Sequence, residues 1–430
     1  MTTVGVVGLG YVGLTLAVTL ARKGFSVHAM DTAPDVLASV GAGRPHRYEP
    51  GVEDGLRAYL GDRLHVVPAL PERRADVVLL CVSTPVDPET YEPRLENLRR
   101  AAGHIAERCA PETLVIVRST VPVGATRAVV LPELAHRWPR PRLVFAPERT
   151  IQGQALRELE ELPQIVGGID DESGAAAAAF FARVTRRVVR VSSLEAAELV
   201  KLANNCHTDL IYSYGNEVAL IAERWSLDPL EIIRAANVDY PRPDLAKPGY
   251  VGGGCLSKDP YILLAAARGA GYVPWLVGQA RALNEHLPVH VAERLVGLVR
   301  QTIGRTEGTR LAVLGWAYKG WPPTDDMRGT PIVPMLPILR AAGFDLRGHD
   351  PWVRPEVIRG HGALPVSADE AFDGADAILV VTNHPEWAKL DLTRLLSRLH
   401  RPAVLFDSWR ILDEEVVRAV GVRYAGIGYG

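Results

Sequence analysis

The length, composition and charge of the chain exclude several classes of protein. Its 430 residues are 47% hydrophobic and 23% charged, as expected for a globular protein of two or three domains. A formal net charge of -2 argues against nucleic acid or an anionic membrane as the partner. The four scattered cysteines, without metal-ligand spacing, argue against a metal site and a disulfide framework. With neither a signal-peptide pattern nor an apolar run long enough for a bilayer, the sequence predicts a cytoplasmic protein.

Short apolar strands alternate with helices in the first part of the chain. Val4–Val7 is predicted as a strand, Tyr11–Lys23 as a helix and Ser26–Met30 as a second strand. Further strands are predicted at Val77–Val82, Leu114–Val117, Leu143–Ala146 and Val188–Val191. This alternation predicts a parallel sheet with helices on both faces.

The middle of the chain is predicted to be helical. Leu194–Glu223 has a serine start, early acids, helical spacing and no proline, which predicts one long helix. A second helical region reaches about Gln301, interrupted by the proline- and glycine-rich stretch Pro241–Gly254. After a boundary at Gly304–Gly308, strands are predicted at Leu311–Leu314, Asp345–Arg347, Ala377–Val381 and Val404–Phe406.

The predicted architecture is therefore α/β, with two Rossmann-like doubly wound domains joined by a central helical region. Its predicted domain boundaries are 1–193, 194–303 and 304–430.

The segment GLGYVG directly after the first strand predicts a dinucleotide site. Gly8, Gly10 and Gly13 have the spacing that permits a tight turn, close approach of a pyrophosphate and helix–strand packing. The helix that follows favours phosphate at its N-terminus. Asp31, at the end of the second strand, is placed to bind ribose hydroxyls and would repel a 2'-phosphate, which favours NAD over NADP. The alternative is a glycine-rich turn without a ligand, as many α/β proteins have.

One cysteine lies in a second glycine-rich segment, GYVGGGCLSKDP. Cys255 follows three glycines at 252–254, and Lys258 and Asp259 come shortly after it. Glycines let backbone approach a ligand, and a nearby cation such as Lys258 would favour thiolate. We therefore interpret Cys255 as a nucleophile, with an incidental thiol in a tight turn as the alternative. The other three cysteines are interpreted as small buried hydrophobic residues.

GxGxxG together with the late GGxCxxKD loop resembles the UDP-glucose/GDP-mannose dehydrogenase family. In chain order, the further matching stretches are STVPVG at 119–124, APER at 146–149, AAELVKLANN at 196–205, LGWAYKG at 314–320 and DDMRGTP at 325–331. The resemblance implies NAD-dependent oxidation of C6 of a nucleotide sugar from alcohol to carboxylate, through a thiohemiacetal and a thioester on the cysteine. It also implies a homodimer or larger homo-oligomer around the long helix, with a nucleotide-sugar site in the C-terminal domain.

The same resemblance assigns roles to individual residues. Its catalytic set comprises Cys255 as nucleophile, Lys201 and Asn205 for developing oxyanion charge, Asp259 and Thr120 for water, and Glu148 as an acid/base. Its cofactor set is Gly8, Gly10, Tyr11, Val12, Gly13, Asp31, Thr84, Thr120 and Lys258. Its substrate set is Glu148, Arg149, Lys201, Asn205, Arg242, Tyr250, Gly252, Gly254, Lys319 and Arg328.

Each assignment has a structural alternative. Lys201 and Asn205 would then be a solvated helix face, Thr120 a turn cap, Glu148 a partner of Arg149, and Lys258 a partner of Asp259. The segment GWPPTDDMR also has about two residues more than the family pattern, which leaves the local path around Lys319 open.

Two segments that relate to the identity of the sugar favour different branches of the family. PERTIQGQALRELEELPQIVGG resembles the UDP-N-acetylhexosamine branch, whereas CLSKD carries the lysine typical of the glucose branch. The longer match favours UDP-N-acetylmannosamine or UDP-N-acetylglucosamine, with UDP-glucose and a dTDP-sugar as alternatives.

A one-step 3-hydroxyacid dehydrogenase would explain neither Cys255 nor a second α/β domain. A non-catalytic nucleotide-sugar-binding protein would not need the set of thiol, lysine, asparagine and glutamate.

Overall fold

The computed structural model describes residues 2–241 and 244–430, so Arg242, a predicted substrate-binding residue, lies outside the described residues. The chain forms two compact units. The first comprises Met1–Asn205 and Lys258–Pro274, and the second comprises Cys206–Ser257 and Trp275–Gly430. The three-part division drawn from the sequence stays a prediction.

The described residues form two sheets of mainly parallel strands. In the first unit the strands are β1 Thr3–Val7, β2 Ser26–Met30, β3 Leu64–Val67, β4 Val77–Leu80, β5 Leu114–Val117, β6 Arg142–Phe145, β7 Gln164–Gly168 and β8 Val188–Val191. In the second they are β9 Arg310–Leu314, β10 Asp345–His349, β11 Leu364–Pro365, β12 Ala377–Val380, β13 Val404–Asp407 and β14 Arg423–Ala425. The strand orders are β3-β2-β1-β4-β5-β6-β7-β8 and β11-β10-β9-β12-β13-β14.

Helices connect these strands. In chain order they are α1 Tyr11–Arg22, α2 Pro34–Gly41, α3 Val52–Tyr59, α4 Glu96–Arg108, α5 Leu131–Ala135, α6 Ala155–Glu161, α7 Asp171–Phe181, α8 Leu194–Arg224, α9 Pro229–Asn237, α10 Gly253–Leu256, α11 Asp259–Gly269, α12 Trp275–Ile303, α13 Ile332–Ala341, α14 Pro355–Gly360, α15 Leu392–Leu396 and α16 Glu414–Ala419. None of the helices in the described part of the chain has both the length and the apolar character that crossing a bilayer requires.

The predicted α/β class and the long helix that begins at Leu194 are confirmed. β4, β5, β12 and β13 are buried along their whole length, as parallel strands covered by helices on both faces are. One pairing departs from the predicted parallel sheet, because β7 runs antiparallel to β6. The sequence analysis missed β7, since QIVGG follows a proline and ends in two glycines, which is typical of a loop.

Candidate active site

The turn between β1 and α1 accepts only glycine at two of its three motif positions. Gly8 has a φ of +93°, a left-handed conformation that favours glycine. A Cβ on Gly13 would lie 1.8 Å from the carbonyl oxygen of Gly8, so this glycine lets the helix pack on the strand. Gly10 is the N-cap of α1, and a Cβ there would meet no protein atom within 4 Å. This open space at a helix N-terminus is where a pyrophosphate would bind.

Asp31 lies directly after β2 and is held by two backbone N–H groups. Leu9 donates to one carboxylate oxygen at 2.7 Å and Ala33 to the other at 2.9 Å. The neighbouring strand β1 pairs with both β2 and β4, which is the point where the strand order reverses. Dinucleotides bind at such a switch point, with a carboxylate after the second strand on the ribose. The residues present therefore fit NAD.

Tyr11 and Val12, the other two predicted cofactor residues of the motif, differ in what they contact. Val12 packs against the apolar core, whereas the Tyr11 hydroxyl donates to the buried carboxylate of Glu49 at 2.5 Å. Glu49 also accepts the backbone N–H of Gly153 at 2.6 Å and that of Ala155 at 2.7 Å. Glu49, which the sequence analysis missed, thus joins the glycine-rich turn to the loop that follows Glu148.

Three predicted residues follow the carboxyl ends of neighbouring parallel strands. Thr84 comes after β4, Thr120 after β5 and Glu148 after β6, so the sheet brings them to one edge. The buried Thr84 hydroxyl donates to the carbonyl oxygen of Thr120 at 2.5 Å, and the Ser119 hydroxyl donates to Val82 at 2.7 Å. These bonds hold the two loops together.

Glu148 is a buried carboxylate paired with a buried arginine. It forms a salt bridge with Arg118, whose guanidinium also donates to Gln164 at 2.9 Å. The backbone N–H groups of Arg149 and Thr150 donate to its other oxygen, each at 2.7 Å. Burial alone would raise the pKa of Glu148, but Arg118, the Thr150 N–H and Lys201 together lower it below 4.5. The group is therefore an anion at neutral pH.

This arrangement differs from the alternative in which Glu148 pairs with Arg149. The side chain of Arg149 donates instead to the carbonyl oxygen of Pro163. Arg118 was missed because a lone arginine after a buried strand carries no motif. The position of Arg118 could have revealed it, because a charged residue directly after an apolar buried strand is itself buried only when it pairs with an opposite charge.

Lys201 and Glu198 lie one turn apart on α8, and both are buried. Glu198 accepts the backbone N–H groups of Gly124 at 2.5 Å and Thr126 at 2.9 Å, which ties the STVPVG loop to this helix. Lys201 lies close enough to Glu148 to lower its pKa. A buried ammonium is not a solvated helix face, and it is suited to hold a substrate oxygen.

Asn205 and Asp259 are joined directly within the first unit. The Asn205 amide donates to one oxygen of the fully buried Asp259 carboxylate at 2.5 Å, and the Lys258 ammonium donates to the other at 2.8 Å. Lys258 therefore pairs with Asp259, which was one of its two predicted roles. Its role in cofactor binding stays a prediction.

The three glycines before Cys255 allow three close contacts within the second unit. A Cβ on Gly252 would lie 2.0 Å from the Gly329 carbonyl oxygen. Gly253 has a φ of +85° and faces the Tyr318 ring, and a Cβ on Gly254 would lie 2.5 Å from Cζ of the Arg328 guanidinium. The loop before Cys255 thus packs on the LGWAYKG and DDMRGTP segments. A side chain at Gly252 or Gly253 would separate them, whereas one at Gly254 would displace only the end of the Arg328 side chain.

Cys255 is the exposed cysteine of the four, and a cation lies beside it in the same unit. Arg328 is bound by Asp326, with Nε–Oδ1 and Nη2–Oδ2 distances of 3.0 and 2.6 Å. The hydrogen bond to Asp326 raises the pKa of Arg328, and burial, which by itself would lower that pKa, does not cancel the rise. The sequence analysis predicted Lys258 as the cation that favours the thiolate form of Cys255. Within the unit that contains Cys255, the cation beside it is Arg328.

The remaining predicted residues are placed differently. Tyr250 is buried, with its hydroxyl 2.9 Å from that of Ser408, and burial raises its pKa. Lys319 lies over the Tyr318 ring at 5.5 Å. The other three cysteines are buried as predicted, and burial raises the pKa of Cys81 to about 12 and that of Cys109 to about 11.

Fold and site together define an NAD-dependent dehydrogenase with a second α/β domain. The sequence matches three domains of one family: the NAD binding domain of the UDP-glucose/GDP-mannose dehydrogenase family over residues 2–185, its central domain over 195–286 and its UDP binding domain over 312–414. The UDP-N-acetyl-D-mannosamine dehydrogenase of Pyrococcus horikoshii is 32% identical over 99% of each chain. The UDP-glucose 6-dehydrogenase of Bacillus subtilis is 28% identical over 100% of this chain and 93% of its own.

The solved structures to which this chain is similar are also nucleotide-sugar dehydrogenases. A UDP-D-ManNAc dehydrogenase from Pyrococcus horikoshii superimposes with a TM-score of 0.88 at 30% identity over the whole of both chains. A UDP-glucose dehydrogenase from Pyrobaculum islandicum gives a TM-score of 0.85 at 28% identity, over 100% of this chain and 98% of its own. The chain belongs to the UDP-glucose/GDP-mannose dehydrogenase family and is an NAD-dependent nucleotide-sugar dehydrogenase.

Proposed function

We propose that the protein oxidises C6 of UDP-N-acetylmannosamine to the uronic acid in two steps, with Cys255 as the covalent nucleophile. The observation that carries the two-step reaction is the exposed thiol, beside Arg328, on a loop whose glycines hold it against the C-terminal segments. An alcohol dehydrogenase that stops at the aldehyde needs no such thiol. A non-catalytic binding protein would need neither this thiol nor the buried polar groups of the first unit.

In the proposed reaction the C6 alcohol loses one hydride and one proton and becomes an aldehyde. The Cys255 thiolate adds to the carbonyl carbon and forms a C–S bond, and the thiohemiacetal then loses a second hydride to become a thioester. Water adds to the thioester and the C–S bond breaks, which releases the carboxylate and one proton and returns Cys255 as a free thiol. Two NAD+ accept the two hydrides.

The polar groups of the first unit are assigned by what they can do chemically. The Lys201 ammonium and Asn205 amide stabilise negative charge on O6 as it develops. Asp259 is held in place by Asn205 and Lys258, which suits it to orient a water molecule. Glu148 is held as an anion by Arg118, which suits it to orient Lys201 and substrate more than to donate a proton. Thr120 lies in the adjoining loop, and we propose it as a second residue that positions the water molecule.

Two observations favour an N-acetylhexosamine. The PERTIQG segment resembles that branch, and the relative that acts on UDP-N-acetyl-D-mannosamine is more similar in sequence than the UDP-glucose 6-dehydrogenase of Bacillus subtilis, at 32% against 28% identity. UDP-N-acetylglucosamine and UDP-glucose remain the donors to compare, because Lys258 is typical of the glucose branch.

The test counts NADH formed per sugar consumed, with NAD+ and each of the three UDP-sugars in turn. We expect two NADH per UDP-N-acetylmannosamine and a uronic acid by mass spectrometry. Two NADH per UDP-glucose instead would contradict the donor but retain the mechanism. One NADH per sugar with any donor would contradict the role of Cys255. No turnover with any of the three would favour either another nucleotide, such as that of a dTDP-sugar, or the binding-protein alternative.

We also propose that the protein assembles as a homodimer through α8. Within the second unit, Ile211, Tyr214, Ile221 and the adjoining Trp225 expose large apolar side chains, and Trp225 is 76% exposed. An exposed apolar face of this kind is typical of a protein–protein interface. Sedimentation analysis should give a dimer or a multiple of it, and an Ile221→Asp variant should shift the protein towards the monomer. A monomeric wild-type protein at micromolar concentration would contradict the proposal.

A further inference from the structure

A buried arginine on α12 contacts the backbone on both sides of the cysteine loop. Arg281 is only 2% exposed and lies in the second unit, as does the loop. Its Nη1 donates to the carbonyl oxygen of Leu256 at 2.8 Å, and its Nη2 donates to that of Val251 at 3.2 Å. These two carbonyls enclose residues 252–255, so one guanidinium closes the loop that ends in Cys255.

The charge of this arginine is balanced inside the protein. Asp209 on α8 is 1% exposed and accepts a hydrogen bond from Nη1 of Arg281 at 2.8 Å. Asn284, one helical turn further along α12, donates to the same carboxylate oxygen at 2.9 Å. Glu285, at the surface, lies 3.3 Å from Nε. A buried charge of this kind is retained only with such partners, and removal of the arginine would leave Asp209 unpaired.

A second contact fixes the start of the same segment. Asn216 on α8 accepts the backbone N–H of Gly249 at 2.8 Å and donates to its carbonyl oxygen at 3.0 Å. Asn216 also donates to Asn284 at 2.9 Å, which connects it to the Asp209–Arg281 pair. The segment from 249 to 256 is therefore held from α8 and α12 by one connected network of buried side chains.

We propose that Arg281 is a positioning residue for Cys255: it fixes the path of residues 251–256 so that the thiol is presented for attack on the aldehyde. The inference rests on the proposed two-step function, since it gives the loop geometry a catalytic purpose. Arginine is suited to this task because its planar fork reaches two carbonyls and a carboxylate at once, which the single ammonium of lysine does not.

The test compares Arg281→Lys with Arg294→Lys. Arg294 lies on the same helix and is paired with a partly buried glutamate, Glu223, but its other partner is the carbonyl of Gly430. We expect Arg281→Lys to lower kcat for acid formation about tenfold to a hundredfold, because small displacements of a reacting group have effects of this size. The KM for NAD+ should not change, since the glycine-rich turn is in the other unit.

Two further measurements separate positioning from a loss of folded protein. Hydrogen–deuterium exchange should accelerate in the peptide covering 249–257 of Arg281→Lys and not in that of Arg294→Lys. Semicarbazide should trap aldehyde in Arg281→Lys, and NADH per sugar should fall from two towards one. Both results together support the inference. Wild-type exchange and stoichiometry, or activity lost only in proportion to unfolded protein, would overturn it.

Should Arg281→Lys fail to fold, Asp209→Asn takes its place, since it keeps the shape and removes the charge that holds Arg281. We expect a smaller acceleration of hydrogen–deuterium exchange at 249–257 and a smaller fall in NADH per sugar. If both quantities equal those of the wild type, the inference is again overturned. Cys255→Ser, measured in parallel, keeps the two proposals apart. If it retains two NADH per sugar, the proposed function fails; if it is inactive while the Arg281 and Asp209 variants behave as wild type, only the inference fails.

Discussion

The predicted catalytic residues of the two units are held in different ways. In the first unit Arg118, Glu148 and Lys201 are charged and buried, and they are kept in place by each other and by backbone N–H groups. In the second unit Cys255 is exposed, and its position depends on close backbone contacts at three glycines. Substitutions among the buried charges should therefore affect folding, whereas substitutions around the thiol should affect the reaction.

The largest expected effect is on the reaction, from Cys255→Ser. We expect kcat for acid formation to fall at least about 10³-fold, because the covalent route is lost. The free energy of unfolding should hardly change, since the thiol is exposed. Assays of acid formation and urea denaturation give the two quantities.

Cys109→Ser is the matched control, because this thiol is buried in the first unit. It should lower the free energy of unfolding by about 1–3 kcal/mol while the folded protein still forms two NADH per sugar. Full acid formation by Cys255→Ser would refute the thioester route.

The largest expected effect on folding comes from Glu148→Gln. This change leaves the buried Arg118 without its counter-charge, and removing one partner of a buried pair costs about 3–5 kcal/mol. Urea denaturation measures the loss. Glu160→Gln is the control, since Glu160 pairs with Arg22 and Lys23 while 31% exposed and should cost less than about 1 kcal/mol. Equal costs for the two variants would show that burial does not set the strength of the pair.

A smaller effect, again on the reaction, is expected from Gly254→Ala. The new Cβ would lie 2.5 Å from the end of the Arg328 side chain, which is flexible and can swing away. We expect little change in stability but about a tenfold lower kcat, because the cation leaves its place beside Cys255.

Gly297→Ala on α12 serves as its control, since a Cβ there meets nothing within 4 Å. It should stabilise the helix by about 0.5–1 kcal/mol and leave kcat unchanged. A Gly254→Ala enzyme with wild-type kcat would mean that Arg328 has no influence on the thiol.

The smallest effect is a dependence of stability on pH. Because the folded-state pKa of Glu148 is lowered below 4.5, its ionisation stabilises the fold above that pH. This contribution is lost as pH falls from 4.5 through the folded-state pKa, by at most about 1.4 kcal/mol per pH unit. The stability difference between wild type and Glu148→Gln should thus be constant above pH 5.5 and narrow in acid. A difference that stays constant down to pH 3 would contradict the lowered pKa.

Most of the strands and the central helix could be predicted from the sequence. β2, β5 and β8 have the predicted bounds, because a short apolar run between turn residues is a local signal. β3, β7, β11 and β14 were missed, since LHVV, LP and RYA are short and QIVGG is rich in glycine. Their strand conformation depends on pairing with β2, β8, β10 and β13, which no local pattern reports.

Among the site residues, the sequence by itself determined those that belong to motifs. Gly8, Gly13 and Cys255 are recognisable because a tight turn, a close approach or a reactive thiol requires a particular residue type at a particular spacing. The family, the use of NAD and the α/β class follow from these local requirements.

Only the tertiary structure decided which side chains hold those motifs in place. Arg118 and Glu49 have side-chain partners 30 or more residues away, and the Asp209 partner of Arg281 is 72 residues away. Glu148 is an anion because Arg118 from the next strand is buried against it, and the cysteine loop is closed because α12 brings Arg281 to both of its ends. Burial and long-range pairing set these roles, and neither is a property of a short stretch of sequence.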